Sequence, residues 1–234
     1  ILVGLVGSEM CIRDRASMAL VLSLTLFGIT NKASAAKLTL YCSVEIDVCE
    51  MLEQAYEKET GTKVAMTRAS SGETFAKIKA EASNPKGDVW FGGTGDPHLT
   101  AAQENLTEKY KSVHFNDLLP AAQNQAKNAD FKSVGIYVGA LGFGYNKDLL
   151  AKKGLPAPKS WMDLTKPIYK GEIQVANPNS SGTAYTTLAT ILQIFGEDKG
   201  WDYMKKLHAN INTYTKSGSA PVSYTHLRAH ETYK

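Results

Sequence analysis

The chain has none of the compact signatures of catalysis. There is no G-x-S-x-G elbow and no Walker A loop, and Gly139-Ala-Leu-Gly-Phe-Gly144 has the wrong spacing for a dinucleotide fingerprint. No carboxylate pair or Cys–His arrangement is evident, which weakens the case for an enzyme, although groups distant in sequence can meet in a fold. His98, His114 and His208 lack metal-ligand spacing and read as surface or satisfied core positions. A formal net charge of +3 over 234 residues argues for neither nucleic acid nor a membrane surface. Internal repeats and low-complexity tracts are missing as well. What remains, 43% hydrophobic and 21% charged, is the composition of a soluble globular protein with one large or two small domains.

Both ends look foreign to the rest. Residues 1–15, ending Ser8-Glu-Met-Cys-Ile-Arg-Asp-Arg15, and residues 222–234 resemble translated sequencing-adapter read-through and are set aside from fold reasoning. The apolar Ala16 to Ile29 falls short of the ~18 residues of a membrane span. It is followed by Ala33-Ser34-Ala35, an A-x-A cleavage site, so 16–35 is expected to be a signal peptide for export. Cys11 lies in the set-aside segment. Cys42 and Cys49 would meet an oxidising compartment, where a bridge is an option. With one cysteine ending a strand and the other within the next helix, buried free thiols are the expectation.

From Lys37 the pattern alternates. Strands are expected at Leu38 to Cys42, Val64 to Arg68 and Asp88 to Phe91, and helices at Glu45 to Thr60, stopped by Gly61, and Phe75 to Ala82. This β-α-β-α-β order predicts a parallel sheet covered on both faces. Lys109 to Asp130 reads as an irregular surface connection around Pro120. Val134 to Tyr145 reads as an apolar strand with glycines at 135, 139, 142 and 144, suited to crossing between lobes as a hinge. A second βα pattern follows: a helix from Lys147 to Lys153, a turn capped by Ser160, a strand at Glu172 to Ala176, helices from Ala184 and Asp198, and a strand at Ile211 to Thr215.

Three strand-to-helix turns carry the chemistry. Ser70-Ser-Gly-Glu-Thr74, Gly92-Gly-Thr-Gly-Asp-Pro97 and Ala176-Asn-Pro-Asn-Ser-Ser-Gly-Thr-Ala-Tyr185 each join a strand to a helix through Gly, Ser and Thr. Such a turn offers unpaired backbone N–H groups, small hydroxyls and the positive end of a helix dipole. One alone is an ordinary N-cap; three suggest an anion-binding cleft at the carboxyl edge of parallel sheets. Asp96 is read as a cap for the helix at His98, with recognition of an ammonium group as the alternative, and Tyr137, Tyr145 and Tyr185 are expected to be packing residues.

Tyr137-Val-Gly-Ala-Leu-Gly-Phe-Gly-Tyr-Asn146, Gly154-Leu-Pro-Ala-Pro-Lys-Ser-Trp161, the 176–185 turn and Tyr214-Thr-Lys-Ser-Gly-Ser-Ala-Pro221 resemble solute-binding proteins of ABC transporters, in the ferric-iron and 2-aminoethylphosphonate group. The resemblance implies an α/β, two-lobed type II periplasmic-binding fold. Its first lobe, 36–138, would be largely present, with a hinge at 139–146 and a partial second lobe at 147–221. It also implies an exported monomer that binds iron(III) or a small organic anion such as a phosphonate, uses no cofactor, and delivers its ligand to a permease. By the same resemblance, Ser43, Ser70, Ser71, Gly72, Gly93 and Thr94 would face Asn177, Ser180, Ser181, Gly182 and Thr183 across the ligand. Iron-binding relatives use a tyrosine pair lying beyond Pro221 and in some cases a His after the first strand, where this chain reads Tyr41-Cys-Ser-Val-Glu45. An enzyme of the same fold acting on a small anionic substrate is the alternative. The effector half of a transcriptional regulator is disfavoured by the export signal.

Overall fold

The computed structural model describes residues 37–222, so the 1–15 segment, the expected signal peptide at 16–35 and all of the 222–234 tail except Val222 lie outside the described residues. Strand β1 (Lys37–Cys42) pairs in parallel with β2 (Lys63–Arg68) on one side and β3 (Val89–Phe91) on the other. Helix α1 (Ile46–Thr60) joins β1 to β2, and α2 (Ser71–Ala80) carries the chain back past β1 to β3. The two crossovers run in opposite directions across the sheet, so a common right-handedness puts their helices on opposite faces. The side chains of β1 agree: Cys42 is bonded to Cys49 of α1, whereas the Tyr41 ring lies under the Lys77 ammonium of α2, 4.2 Å from its centroid.

The bridge corrects the expectation of free thiols. Both cysteines are fully buried and their Cα atoms are 6.0 Å apart, within the range a disulfide tolerates. The chain reverses within three residues of Cys42, so Cys49 falls in the first turn of α1, directly over the strand end. Leu40 and Val64 complete this core, packed against Leu38, Val44, Met66 and Phe91.

The polar stretch read as irregular is partly helical. Pro120 opens α4 (Pro120–Asn128) at its first turn, where its missing N–H is no loss, after α3 (Gly95–Gln103) and a 3-10 turn at Phe115–Asp117. Val134 to Tyr145, expected as a strand, makes no ladder among the described residues. It is an extended span anchored at two points. Near its start, the Tyr137 hydroxyl donates to the Gly93 carbonyl and accepts from the Gly93 N–H, both at 2.8 Å; near its end, Phe143 packs edge-on against Trp161 at 5.2 Å. Tyr137, Tyr145 and Tyr185 are 57%, 51% and 46% exposed, which corrects their reading as packing residues. A Cβ at Gly139, Gly142 or Gly144 would meet nothing within 4 Å. Alanine at each is therefore expected to leave the unfolding midpoint unchanged or to raise it by a few degrees, by restricting the unfolded chain. A calorimetric scan reads this, and a fall of several degrees would mean that these glycines serve packing.

Beyond Phe143 lie α5 (Lys147–Lys152), short 3-10 turns at Trp161–Thr165 and Pro167–Tyr169, β4 (Ile173–Ala176), α6 (Gly182–Phe195), α7 (Glu197–His208) and β5 (Ile211–Thr215). Ser160 caps its turn as expected, accepting from Asp163 N. Strands β4 and β5 form a second parallel sheet. Its core is Ile191, Tyr203 and Leu207, backed by Trp161, Leu164, Ile173, Phe195 and Ile211. Buried Asn210 ties this half together, its side-chain amide donating to the Leu164 and Lys166 carbonyls at 2.8 Å each.

Candidate functional site

The N-termini of α2, α3 and α6 converge. Each helix follows a strand end through a short turn, and a parallel arrangement sends all three toward one region. Glycine permits the approach: a Cβ on Gly93 would overlap Ser71 Oγ, and one on Gly182 would overlap Thr94 Oγ1 and come within 3.0 Å of Ser71 Oγ. Gly93 also has φ +90°, a conformation that L side chains rarely adopt. Loops of the first sheet (residues 70–72 and 94) thus meet a loop of the second (179–182).

The contact is made largely by the main chain. The Ser180 carbonyl accepts from Gly72 N–H at 2.9 Å, and the Ser70 hydroxyl lies 2.7 Å from it and 2.7 Å from the Glu73 carboxylate, with one proton to share between them. These donors, expected to face an anion, are engaged across the junction instead. On Gly72 an added Cβ would stand 2.5 Å from the Asn179 carbonyl oxygen and 2.8 Å from that of Ser180, both backbone atoms. Ser43 is turned inward, its hydroxyl accepting from Trp90 Nε1 at 3.0 Å and 3.1 Å from Thr74 Oγ1. Asn177 organises the opposite loop: its carbonyl accepts from Ser180 N and Ser181 N, and its side-chain oxygen from Asn179 N. Ser181, 2% exposed, caps α6 by accepting from Ala184 N. Gly182 and Thr183 are the first residues of α6, whose N–H groups have no intrahelical acceptor. Thr94 Oγ1 is buried and finds no hydrogen-bond partner among the described residues.

Asp96 does not cap α3. Thr94 holds the N-cap position, without a side-chain cap bond, and Asp96 lies in the first turn, where its charge complements the dipole. His98, read as a surface or satisfied core position, is partly buried and satisfied, stacked on Trp90 with ring centroids 3.6 Å apart. Its Nε2 is 2.8 Å from the Gly92 carbonyl, which can only accept, so Nε2 carries the proton. Burial first, offset in part by that bond, pushes the imidazole below its usual 6.5. The unfolded chain therefore binds the extra proton more readily, and stability, complete above about pH 6.5, should fall as pH drops toward the folded value. Urea unfolding between pH 7.5 and 5 checks this: His98→Gln should flatten the slope, and an unchanged slope would remove His98 as its source.

Two contributors were missed. Tyr137 pins the Gly93 turn from the extended span, a tertiary contact without a local signal. Arg68 ends β2, beside Cys42 in the sheet, and its Nε donates to the Val44 carbonyl at 3.0 Å. Its rarity was the available clue, since it is the sole arginine between Arg15 and Arg228. A surface depression of about 250 Å³, lined by Leu99, Gln103, Asn105 and Lys132, includes none of these loop residues.

Two parallel sheets whose strand-end loops and helix N-termini face one another define a binding protein of the type II periplasmic class. Residues 88–223 match the family of bacterial extracellular solute-binding proteins, and the chain belongs to that family. The solved periplasmic binding protein AfuA from Actinobacillus pleuropneumoniae, with exogenous fructose-6-phosphate bound, is 45% identical with a TM-score of 0.80, covering 84% of this chain and 62% of that one. An uncharacterized Haemophilus influenzae protein is 43% identical over 212 residues, 89% of this chain and 61% of its own. A Salmonella typhimurium protein whose name assigns it to 2-aminoethylphosphonate binding in the periplasm is 30% identical over 158 residues, 67% of this chain and 43% of its own. The chain thus spans about three fifths or less of the length of these relatives.

Proposed function

We propose that this chain belongs to the solute-binding component of an ABC importer, exported to the periplasm, which captures a small phosphoryl-bearing anion between two lobes and delivers it to the permease. The observation that carries the reading is the convergence of three helix N-termini at Ser71, Thr94 and Gly182. Their dipoles, N–H groups and hydroxyls favour an oxyanion. The fructose-6-phosphate in AfuA and the phosphonate in the name of the Salmonella relative support that ligand class. Iron(III) is less well served, because the carboxylate and the phenol nearest the converging residues are already engaged, Glu73 by Ser70 and Tyr137 by Gly93.

The lobes would be 36–138 and 147–221, with 139–146 as hinge between the anchors at Tyr137 and Phe143. Ligand contacts to both lobes would favour the closed arrangement in which Ser180 meets Ser70 and Gly72. Binding only to the folded state raises the melting midpoint. At ligand a thousandfold above Kd the gain is about 4 kcal/mol, or roughly 10 °C for a protein of this size. In a thermal-shift series on the full gene product, fructose-6-phosphate or 2-aminoethylphosphonate should produce that rise and ferric citrate should not. The bound compound, recovered after denaturation, should be chemically unchanged; a converted product would favour the enzyme of the same fold.

A further inference from the structure

We propose that Arg68 is the charge-selecting residue of this cleft, its guanidinium binding the phosphoryl group as a dianion. The proposal rests on the solute-binding reading above and adds to it the group that sets ligand charge. Arg68 is the only arginine among the described residues, and it sits at the junction rather than on a solvated face. Its Nε is held by the Val44 carbonyl in the β1–α1 turn, and a terminal nitrogen is 3.4 Å from the hydroxyl of Ser219 in the loop after β5. That loop belongs to the second half of the molecule and touches the first turn of α6: a Cβ on Gly218 would meet the Thr183 side chain at 2.8 Å. The guanidinium therefore reaches across the junction to the loop whose Gly218 lies against Thr183 in the first turn of α6.

Its partners are all neutral. No carboxylate pairs with Arg68 among the described residues, although lysines elsewhere pair with Glu57, Glu104, Asp130, Asp163, Asp202 and Glu172. Two of its five N–H donors are used. A partly buried cation left without an anion at this junction is completed by an anion that arrives with the ligand. The planar fork suits two oxygens of one phosphoryl group, and the bond at Ser219, at the long limit for a hydrogen bond, is the one to yield. Phosphate esters lose their second proton near pH 6, so affinity should follow that ionisation.

The test is calorimetric titration of the full gene product and its Arg68→Met and Arg68→Gln variants with fructose-6-phosphate, 2-aminoethylphosphonate and inorganic phosphate, between pH 5 and 8. In the native protein, affinity for at least one of these should rise through pH 6. Both variants should bind it at least a hundredfold more weakly and with a flattened pH profile. The probe that binds identifies the source of the phosphoryl group, ester or phosphonate. A folded variant with native affinity and pH profile overturns the assignment to Arg68 while leaving the solute-binding reading intact. If the native protein binds no phosphoryl compound, that reading fails first, and this proposal with it.

Discussion

Adding one methyl group at Gly182 is expected to weaken binding of the proposed phosphoryl ligand by roughly tenfold to a hundredfold, with smaller effect on the fold. The new Cβ would overlap Thr94 Oγ1 and crowd Ser71 Oγ, atoms carried by the opposite loops. Overpacking of this kind costs about 1–3 kcal/mol, and each 1.4 kcal/mol charged to the closed arrangement is a decade in affinity. Gly182 has no positive φ, so alanine strains nothing locally and the penalty falls where the loops meet. Titration of Gly182→Ala beside Gly144→Ala, whose Cβ enters open space, gives the comparison. Removing the offending hydroxyl with Thr94→Ala should restore part of the loss, the coupling expected of residues in contact. Native affinity in Gly182→Ala would mean that the ligand is held without this approach. Proline at 182 is a poorer probe: it fits the first turn of a helix, but its ring fills the same space while also deleting an N–H.

Loss of the Cys42–Cys49 bond should have the largest effect on stability. Chain-entropy arguments for so short a loop give about 2–3 kcal/mol, or a melting midpoint lower by roughly 5–10 °C in a protein of this size. Cys42→Ala with Cys49→Ala also forfeits packing in the Leu40–Val64 core, so the native protein unfolded with and without reductant isolates the bond itself. Ser43 follows Cys42, and Val44, which holds Arg68, follows Ser43. Ligand affinity should therefore fall along with stability. An equal midpoint with and without reductant would show that the bridge contributes nothing to folding.

What could be read from the residues was what is encoded locally. The Ser70, Gly92 and Ser180 turns are legible together, because a Gly-, Ser- and Thr-rich strand-to-helix transition that recurs three times is more than an ordinary cap. Even there, only the tertiary arrangement reveals that Gly72 N–H and the Ser70 hydroxyl are spent on Ser180. Helix α4 was hidden because its inward face is alanine, with Ala126 buried, and none of its nine residues carries a large apolar side chain. Val134 to Tyr145 has the composition of a strand, but a strand exists only with a partner, and none pairs with it among the described residues. The disulfide turned on how tightly three residues reverse the chain after Cys42. Arg68 carried no motif; its meaning comes from the neutral groups around it.

The Ser180 carbonyl gives this design a freedom of its own. Any residue at position 180 supplies that oxygen, and a donor such as Gly72 N–H asks nothing of its own side chain except that it stay small. On the second half's side this part of the grip is thus blind to side-chain identity, while charge recognition is, on our proposal, left to Arg68. Descendants of such a chain could exchange one cargo for another without having to reinvent the clasp.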